Sequence, residues 1–438
     1  MTSMSTNIQN EAYRAALLVT SSSADPISDG GILVSGDTIA ASGPWFTTIV
    51  PLLTPTTTVT DLGAVTIVPG FFDCHVHVSF DPMRMKMNSS RDELSDAQTK
   101  EKETRELMER NALRLLDAGV TTVRDLASHG MGVMEMKGRI NRGEIMGPRL
   151  MCANAPITVF GGHCNAMGGE AEGVEGVTKM TQKRLDEGAE VIKVMSTGGF
   201  MTAGSHPSEA RYSVEELKAI ADTAHAKGVK VTTHALGGEG IRRAVVAGFD
   251  SIEHCSWSTK SGTKFDGEVA QLIVDKGVYV CPTMNTACLA GENYFCPWDH
   301  RAAIVANLAS LRTLNAKIIM GTDNGIGHCP FERYADGLTA LADAGYTPRE
   351  LLAACTDVAA EACGLSEVTG KLLPGFVADV VAVEGNPLES IEAFAKPRFV
   401  LARGKEHKLT PIPPLPADHK EKVEELMAML RKGAGFKD

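Results

Sequence analysis

Residues 66–78 read TIVPGFFDCHVHV, an apolar run that closes on His75-Val76-His77. β-Branched and aromatic residues dominate it, which predicts a strand, and in an extended chain residues two apart point to the same side. Both imidazoles therefore face one way at the strand's end, where they can grip one cation. Outward from this stretch the pattern repeats. Short apolar runs predict further strands over 121–126, 148–153, 190–195, 230–235, 251–255, 278–284 and 318–322. Between them, helical periodicity covers 97–118, 174–187, 213–227, 265–276 and 301–316. Ser213 with Glu216, and Thr347-Pro348 with Glu350, have the form of capping boxes that open helices.

Eight strand-and-helix units predict an α/β fold, a (β/α)8 TIM barrel over 70–373. A doubly wound open sheet is the alternative, but FFDCHVH stands where its glycine-rich dinucleotide turn should follow the first strand. Residues 12–69 and 370–405 differ, with short strands cut by turns such as Asp29-Gly30-Gly31 and Glu384-Gly385-Asn386-Pro387. Neither piece alone can bury a face, so 1–69 and 374–438 are expected to build a small composite β-sandwich domain. Val423, Leu426, Met427 and Leu430 give 416–431 helical spacing, for a helix docked on the chain or between copies.

With 43% hydrophobic and 22% charged residues over 438 positions, the chain is globular. A net charge of -11 offers no basic footprint for nucleic acid, which leaves small-molecule chemistry. No apolar run is long enough to cross a bilayer, and the first residues lack the charged and apolar regions of a signal peptide, so a cytoplasmic location without a membrane partner is expected. The ten cysteines form no CxxC pair and read as reduced thiols.

A barrel carries its active site at the C-terminal mouth of its strands. There the sequence places His75 and His77, Lys193 inside VIKVM, His234, His254 after Glu253, and Asp323 in GTDNG. Alone, each has an ordinary reading: a strand-end histidine can be a satisfied core residue, Lys193 an ion-pair partner, Asp323 a helix cap. Together they describe a metal site. His163, after two glycines, can approach a substrate carbonyl. His328, Arg211 and Leu236 are further candidates for substrate contact. The loops 80–96, 160–170, 200–212, 285–300 and 325–335 carry specificity in no readable code.

The order HxH, Lys, His, His, Asp, with the flanks VPGFFDCHVH, VIKVMSTGG, TTHALG, SIEHC and MGTDNG, resembles the amidohydrolase superfamily. LLDAGVTTVRDL, the Gly161-Gly162-His163 turn and DSIEH resemble its imidazolonepropionase-like branch, which includes Xaa-Pro and Xaa-Lys/Arg dipeptidases and ochratoxin amidases and is similar to phenylurea and thiocarbamate hydrolases. The resemblance implies a hydrolase of carbon–nitrogen bonds with a binuclear metal centre of two Zn2+ per chain. His75, His77 and Asp323 would hold one ion and His234 and His254 the other, with Lys193, N-carboxylated, bridging both. A metal-bridging hydroxide would attack an amide carbonyl, Asp323 would act as general base and then acid, and His163 would bind the oxyanion. It also implies a homo-oligomer.

Peptide-cleaving relatives often carry an aromatic residue where this chain has Leu236, which shifts the expected substrate from a dipeptide toward an N-acyl, aryl or ochratoxin-like amide. An aryl urea or (thio)carbamate is the alternative with the same centre. Two further readings compete: a mononuclear deaminase, against which Lys193 argues, and a noncatalytic scaffold, which should have lost ligands that this chain retains.

Overall fold

The computed structural model describes residues 10–83, 97–202, 204–289 and 301–433. Parts of three expected specificity loops, 84–96, 203 and 290–300, lie outside these, as does Cys296. The 66–78 run is two strands rather than one. Val65–Pro69 and β1, Phe71–Val76, are separated by Gly70, where a Cβ would fall 2.2 Å from the Thr121 hydroxyl. Only glycine lets the chain turn there from one sheet into another.

β1 is followed by β2 (Val120–Asp125), β3 (Arg149–Cys152), β4 (Val191–Met195), β5 (Lys230–Ala235), β6 (Ser251–His254) and β7 (Tyr279–Cys281). All pair in parallel, with helices such as Ala97–Asp117, Gly173–Asp186 and Val214–His225 between them. Apart from the first residues of β3 and β5 and His254 at the end of β6, their side chains are buried, as in a sheet covered by helices. Neighbours in sequence are neighbours in space, without the reversal of strand order that a doubly wound sheet requires. Both capping boxes form, at Ser213/Glu216 and Thr347/Glu350.

The expected eight-stranded ring is not closed: its ladders stop between β3 and β4 and on both sides of 318–322. β1 to β3 form one sheet and β4 to β7 another, joined by the single bridges Ile157↔Val194, Val280↔Ile318 and Val76↔Asn324. Residues 318–322 bond the backbones of β7 and β1, Ile319 N–H to the Val280 carbonyl and Cys74 N–H to the Met320 carbonyl, but make no continuous ladder. Asp73 accepts the Thr322 N–H at 2.9 Å, and Asp323 adopts a left-handed φ of 60°.

Both ends of the chain enter one eight-stranded sheet. Its order is Lys405–His407, Pro397–Ala402, Val380–Glu384, Val65–Pro69, Asn10–Leu18, Ile27–Ser35, Thr38–Pro44, with Thr58–Asp61 beside Asn10–Leu18. Val380–Glu384 pairs antiparallel with Val65–Pro69, which ties the two ends together. The second facing sheet of a sandwich is not seen among the described residues. Helix His419–Gly433 leaves this sheet and packs at the mouth of β1 to β7. No described helix is long and apolar enough to cross a membrane.

Candidate metal centre

The C-terminal ends of the parallel strands open into a cavity of about 960 Å³, counting its open mouth. His75, His77, Lys193, His234, His254 and Asp323 all line it, together with His163 and Leu236. The rings of His234 and His254 lie 4.5 Å apart, and His75 stands 5.2 Å from both His77 and His254. Ligand atoms of His75, His77 and Asp323 all fall within 4.8 Å of one another.

Each of the four strand-end histidines has one ring nitrogen committed to the protein. Glu253 Oε2 lies 2.8 Å from His75 Nδ1, and a carboxylate can only accept, so His75 donates there. The Gly198 carbonyl accepts from His234 Nε2 at 3.0 Å, and the Ala127 carbonyl lies 3.4 Å from His77 Nδ1. Thr283 gives its own hydroxyl hydrogen to the Pro282 carbonyl, so its oxygen accepts from His254 Nδ1 at 2.8 Å. The opposite nitrogen of His75, His234 and His254 is left with its lone pair, whereas His77 Nε2 donates to Asp323 Oδ1 at 2.8 Å, a hydrogen bond that an ion held between them would replace. A metal-binding imidazole is oriented in this way, one nitrogen donating outward and the other facing the ion.

Electrostatics point the same way. Burial, with the charge of Lys193 and neighbouring histidines, lowers His75, His234 and His254 below the usual range, so their imidazoles are neutral near pH 7. Burial also depresses His77, but its hydrogen bond to Asp323 more than reverses this. Asp323 Oδ1 lies 3.3 Å from His75 Nε2 and 2.8 Å from His77 Nε2, so a carboxylate and two imidazole nitrogens converge on one point. A cation satisfies such a set, and the donors fit one. Lys193 is 2% exposed, burial pulls its ammonium down, and no hydrogen bond or ion pair among the described residues engages it.

Support lies beneath the ligands. Glu253, fully buried, also accepts from Arg124 Nη2 at 2.7 Å and from the Thr232 hydroxyl. Arg124 donates on to the Cys74 carbonyl at 2.7 Å. Asp73 binds the Thr322 hydroxyl at 2.5 Å, and Asp125 holds the Val78 N–H at 2.8 Å; burial raises both carboxyls to about 7. Glu253, Arg124, Asp73 and Asp125 were not singled out from sequence. Their signal was available: a charged residue inside or closing a buried apolar strand, as Lys193 is.

The remaining candidates divide. His163 packs on Gly199, where a Cβ would come within 2.6 Å of the ring, and its centroid is 4.7 Å from that of His234. Thr202 accepts the Cys164 N–H at 3.3 Å and lies 3.1 Å from His163 Nδ1. Burial and the Lys193 charge lower His163 to about 4. Arg211 is elsewhere, 3.6 Å from Glu209 in an open surface groove. His328 also stands outside the cavity lining, its charged neighbours being Asp418, Lys422 and Glu425 around helix His419–Gly433. The capture of a substrate carboxylate by Arg211 and a substrate contact by His328 therefore have no support in this geometry.

Residues 66–406 match the model of the amidohydrolase family. The chain belongs to that family. It is accordingly a hydrolase acting on carbon–nitrogen bonds, in a family generally dependent on metal ions, with a TIM-barrel-like α/β fold. Ochratoxinase of Aspergillus niger is 30% identical over 380 residues, covering 76% of this chain and 73% of that protein. The A. niger ochratoxinase crystal structure superposes with a TM-score of 0.76 at 27% identity, covering 94% and 98% of the two chains. Imidazolonepropionase of Symbiobacterium thermophilum is 27% identical, covering 80% of this chain and 83% of that one. A molinate hydrolase structure, 18% identical, shares the fold with a TM-score of 0.77 over 91% of this chain and 94% of that one.

Proposed function

We propose that this chain is a binuclear zinc-dependent amidohydrolase that cleaves an amide-type bond, in an N-acyl or aryl amide of an amino acid, an ochratoxin-like amide or a dipeptide. The observation that carries this is the set of four imidazoles, each donating one nitrogen to the protein and turning the other into the cavity that holds Asp323 and Lys193. His75, His77 and Asp323 would hold one ion and His234 and His254 the second. Lys193, buried and without a hydrogen bond or ion pair among the described residues, suits the bridging position as an N-carboxylated lysine, since an ammonium cannot ligate a cation. When bound, the ions supply Lewis acidity and lower the pKa of water toward neutrality.

The chain's own groups do the rest. Asp323 takes the proton of the attacking water and delivers it to the leaving nitrogen. The Thr202 hydroxyl, already accepting from Cys164, donates to His163 Nδ1, which leaves Nε2–H to hydrogen-bond the carbonyl oxygen as charge develops. Leu236 adds an apolar contact in place of a donor. We further read β1 to β7 with 318–322 as a (β/α)8 barrel over 70–373, flanked by a composite sandwich from 1–69 and 374–438. The described cysteines are all free thiols, which supports a cytoplasmic location, and exposed Phe46 and Leu52 support a homo-oligomer. A small-molecule substrate is the partner.

Metal analysis tests the reading. The enzyme should carry about two zinc ions per chain, and Lys193→Ala about one or fewer with hydrolysis lost. One ion per chain with full activity in Lys193→Ala would sink the binuclear centre.

A further inference from the structure

Helix His419–Gly433 forms one wall of the cavity. Its buried face, Val423, Leu426, Met427 and Leu430, has the three- and four-residue spacing of one helical stripe and packs with Ala287 and Cys329 and against Phe200 and Met201. Leu426, Met427 and Leu430 reach the cavity itself. A proline-rich segment, 411–416, carries the chain there. It is moored by Asp117, whose carboxylate accepts from His407 Nε2 at 2.8 Å, from the Thr410 N–H at 2.9 Å and from the Thr410 hydroxyl. The helix lies beyond residues 66–406, the part of the chain that matches the family model.

The cavity thus has two chemistries. Its floor is the histidine, aspartate and lysine cluster. Its outer part is built from Met167, Phe200, Met201, Ile326, Leu426 and Met427. Among the described lining residues, Lys193 is the only ammonium or guanidinium and Asp323 the only carboxylate, and both sit in the floor. A charged group lodged in the outer part would lose its hydration without a partner, whereas an apolar group gains by leaving water. Methionines adapt to irregular rings and chains, so this outer part can take an apolar group of more than one shape.

We propose that the 419–433 helix is a specificity wall that receives an uncharged apolar group, aromatic or branched aliphatic, carried on one side of the scissile amide while the floor holds the amide itself. This rests on the amide-hydrolase reading for the floor, but the apolar wall can be tested without turnover. In the full-length metal-loaded protein, the neutral fluorophore N-phenyl-1-naphthylamine should bind the cavity, and Met427→Ala/Leu430→Ala should weaken it roughly tenfold or more, with metal content and circular dichroism unchanged. Glu424→Ala, on the exposed face, should leave it unaltered.

Two amides of one amine then give the catalytic arm. For the double variant, kcat/KM should fall roughly tenfold or more on the 2-naphthoyl amide and less than about twofold on the acetyl amide. Probe binding that is absent in the wild type, or equal in wild type and double variant, overturns the proposal. So does an equal fall on both amides, which would make the helix merely structural. If the wild type cleaves neither amide, the amide reading fails, and the probe titration alone decides the wall.

Discussion

Glu253→Gln separates two jobs that one buried carboxylate performs. Glu253 is fully buried, lies 2.8 Å from His75 Nδ1 and 2.7 Å from Arg124 Nη2, and takes the Thr232 hydroxyl as well. Burial pushes its pKa up, but Arg124 and Lys193 hold it below the usual carboxylate range, so it is charged at neutral pH. Glutamine keeps the volume and removes the charge. Arg124, 2% exposed, is then a buried guanidinium without its counter-ion, which costs about 3–5 kcal/mol. With one oxygen instead of two, the side chain can no longer offer His75 a charged acceptor while serving Arg124 and Thr232, which should lower metal affinity about 10- to 100-fold. Urea unfolding of the metal-free protein measures the first effect, and zinc competition against a chelator the second. Arg124→Met/Glu253→Gln should recover most of the stability, because no charge is stranded, and none of the affinity, because His75 still lacks its carboxylate. A Glu253→Gln protein within about 1 kcal/mol of wild type, with unchanged zinc affinity, would refute the reasoning.

His163→Ala should lower turnover about 100- to 1,000-fold with zinc content intact, as loss of one oxyanion donor does; a drop in zinc content would instead make His163 a ligand. Away from the centre, Asp250 accepts from Lys230 Nζ at 2.8 Å, from His225 Nε2 at 2.7 Å and from the Val231 N–H at 2.8 Å. Burial raises its pKa, but these partners more than reverse that and leave it below the usual value. Its stabilisation is therefore present above the unfolded pKa of about 4 and lost as pH falls through the lower folded pKa. Asp250→Asn should cost about 1–3 kcal/mol at pH 7, shrinking below about pH 4; a penalty independent of pH in parallel urea titrations would count against the charge.

Local rules were enough where the signal is local. The two-residue alternation of His75 and His77, the capping boxes at Ser213 and Thr347, and a lone charge inside VIKVM all act over a few residues, and the structure places them as the pattern predicts. Residues 318–322 misled the strand reading because Asp73, 249 positions away, takes the Thr322 N–H that a neighbouring strand would have bonded. Glu253 and Arg124 escaped notice for the same reason: they are 129 residues apart, and their role exists only once β2 and β6, strands of different sheets, bring them together beneath His75. His328 and Arg211, both near the expected mouth in sequence, stand outside the cavity lining, Arg211 beside Glu209 in a separate surface groove.

By itself, then, the sequence determined the α/β alternation, the family and the candidate metal-binding side chains that line the cavity, because strand periodicity and residue chemistry are written into short stretches. Tertiary structure alone decided which ring nitrogen each histidine offers, which buried charges support it, and that the amphipathic helix at 419–433 walls the cavity rather than another surface. An apolar stripe states only that it must be buried, and hydrogen-bond partners more than a hundred residues apart are chosen by packing, which no local pattern encodes.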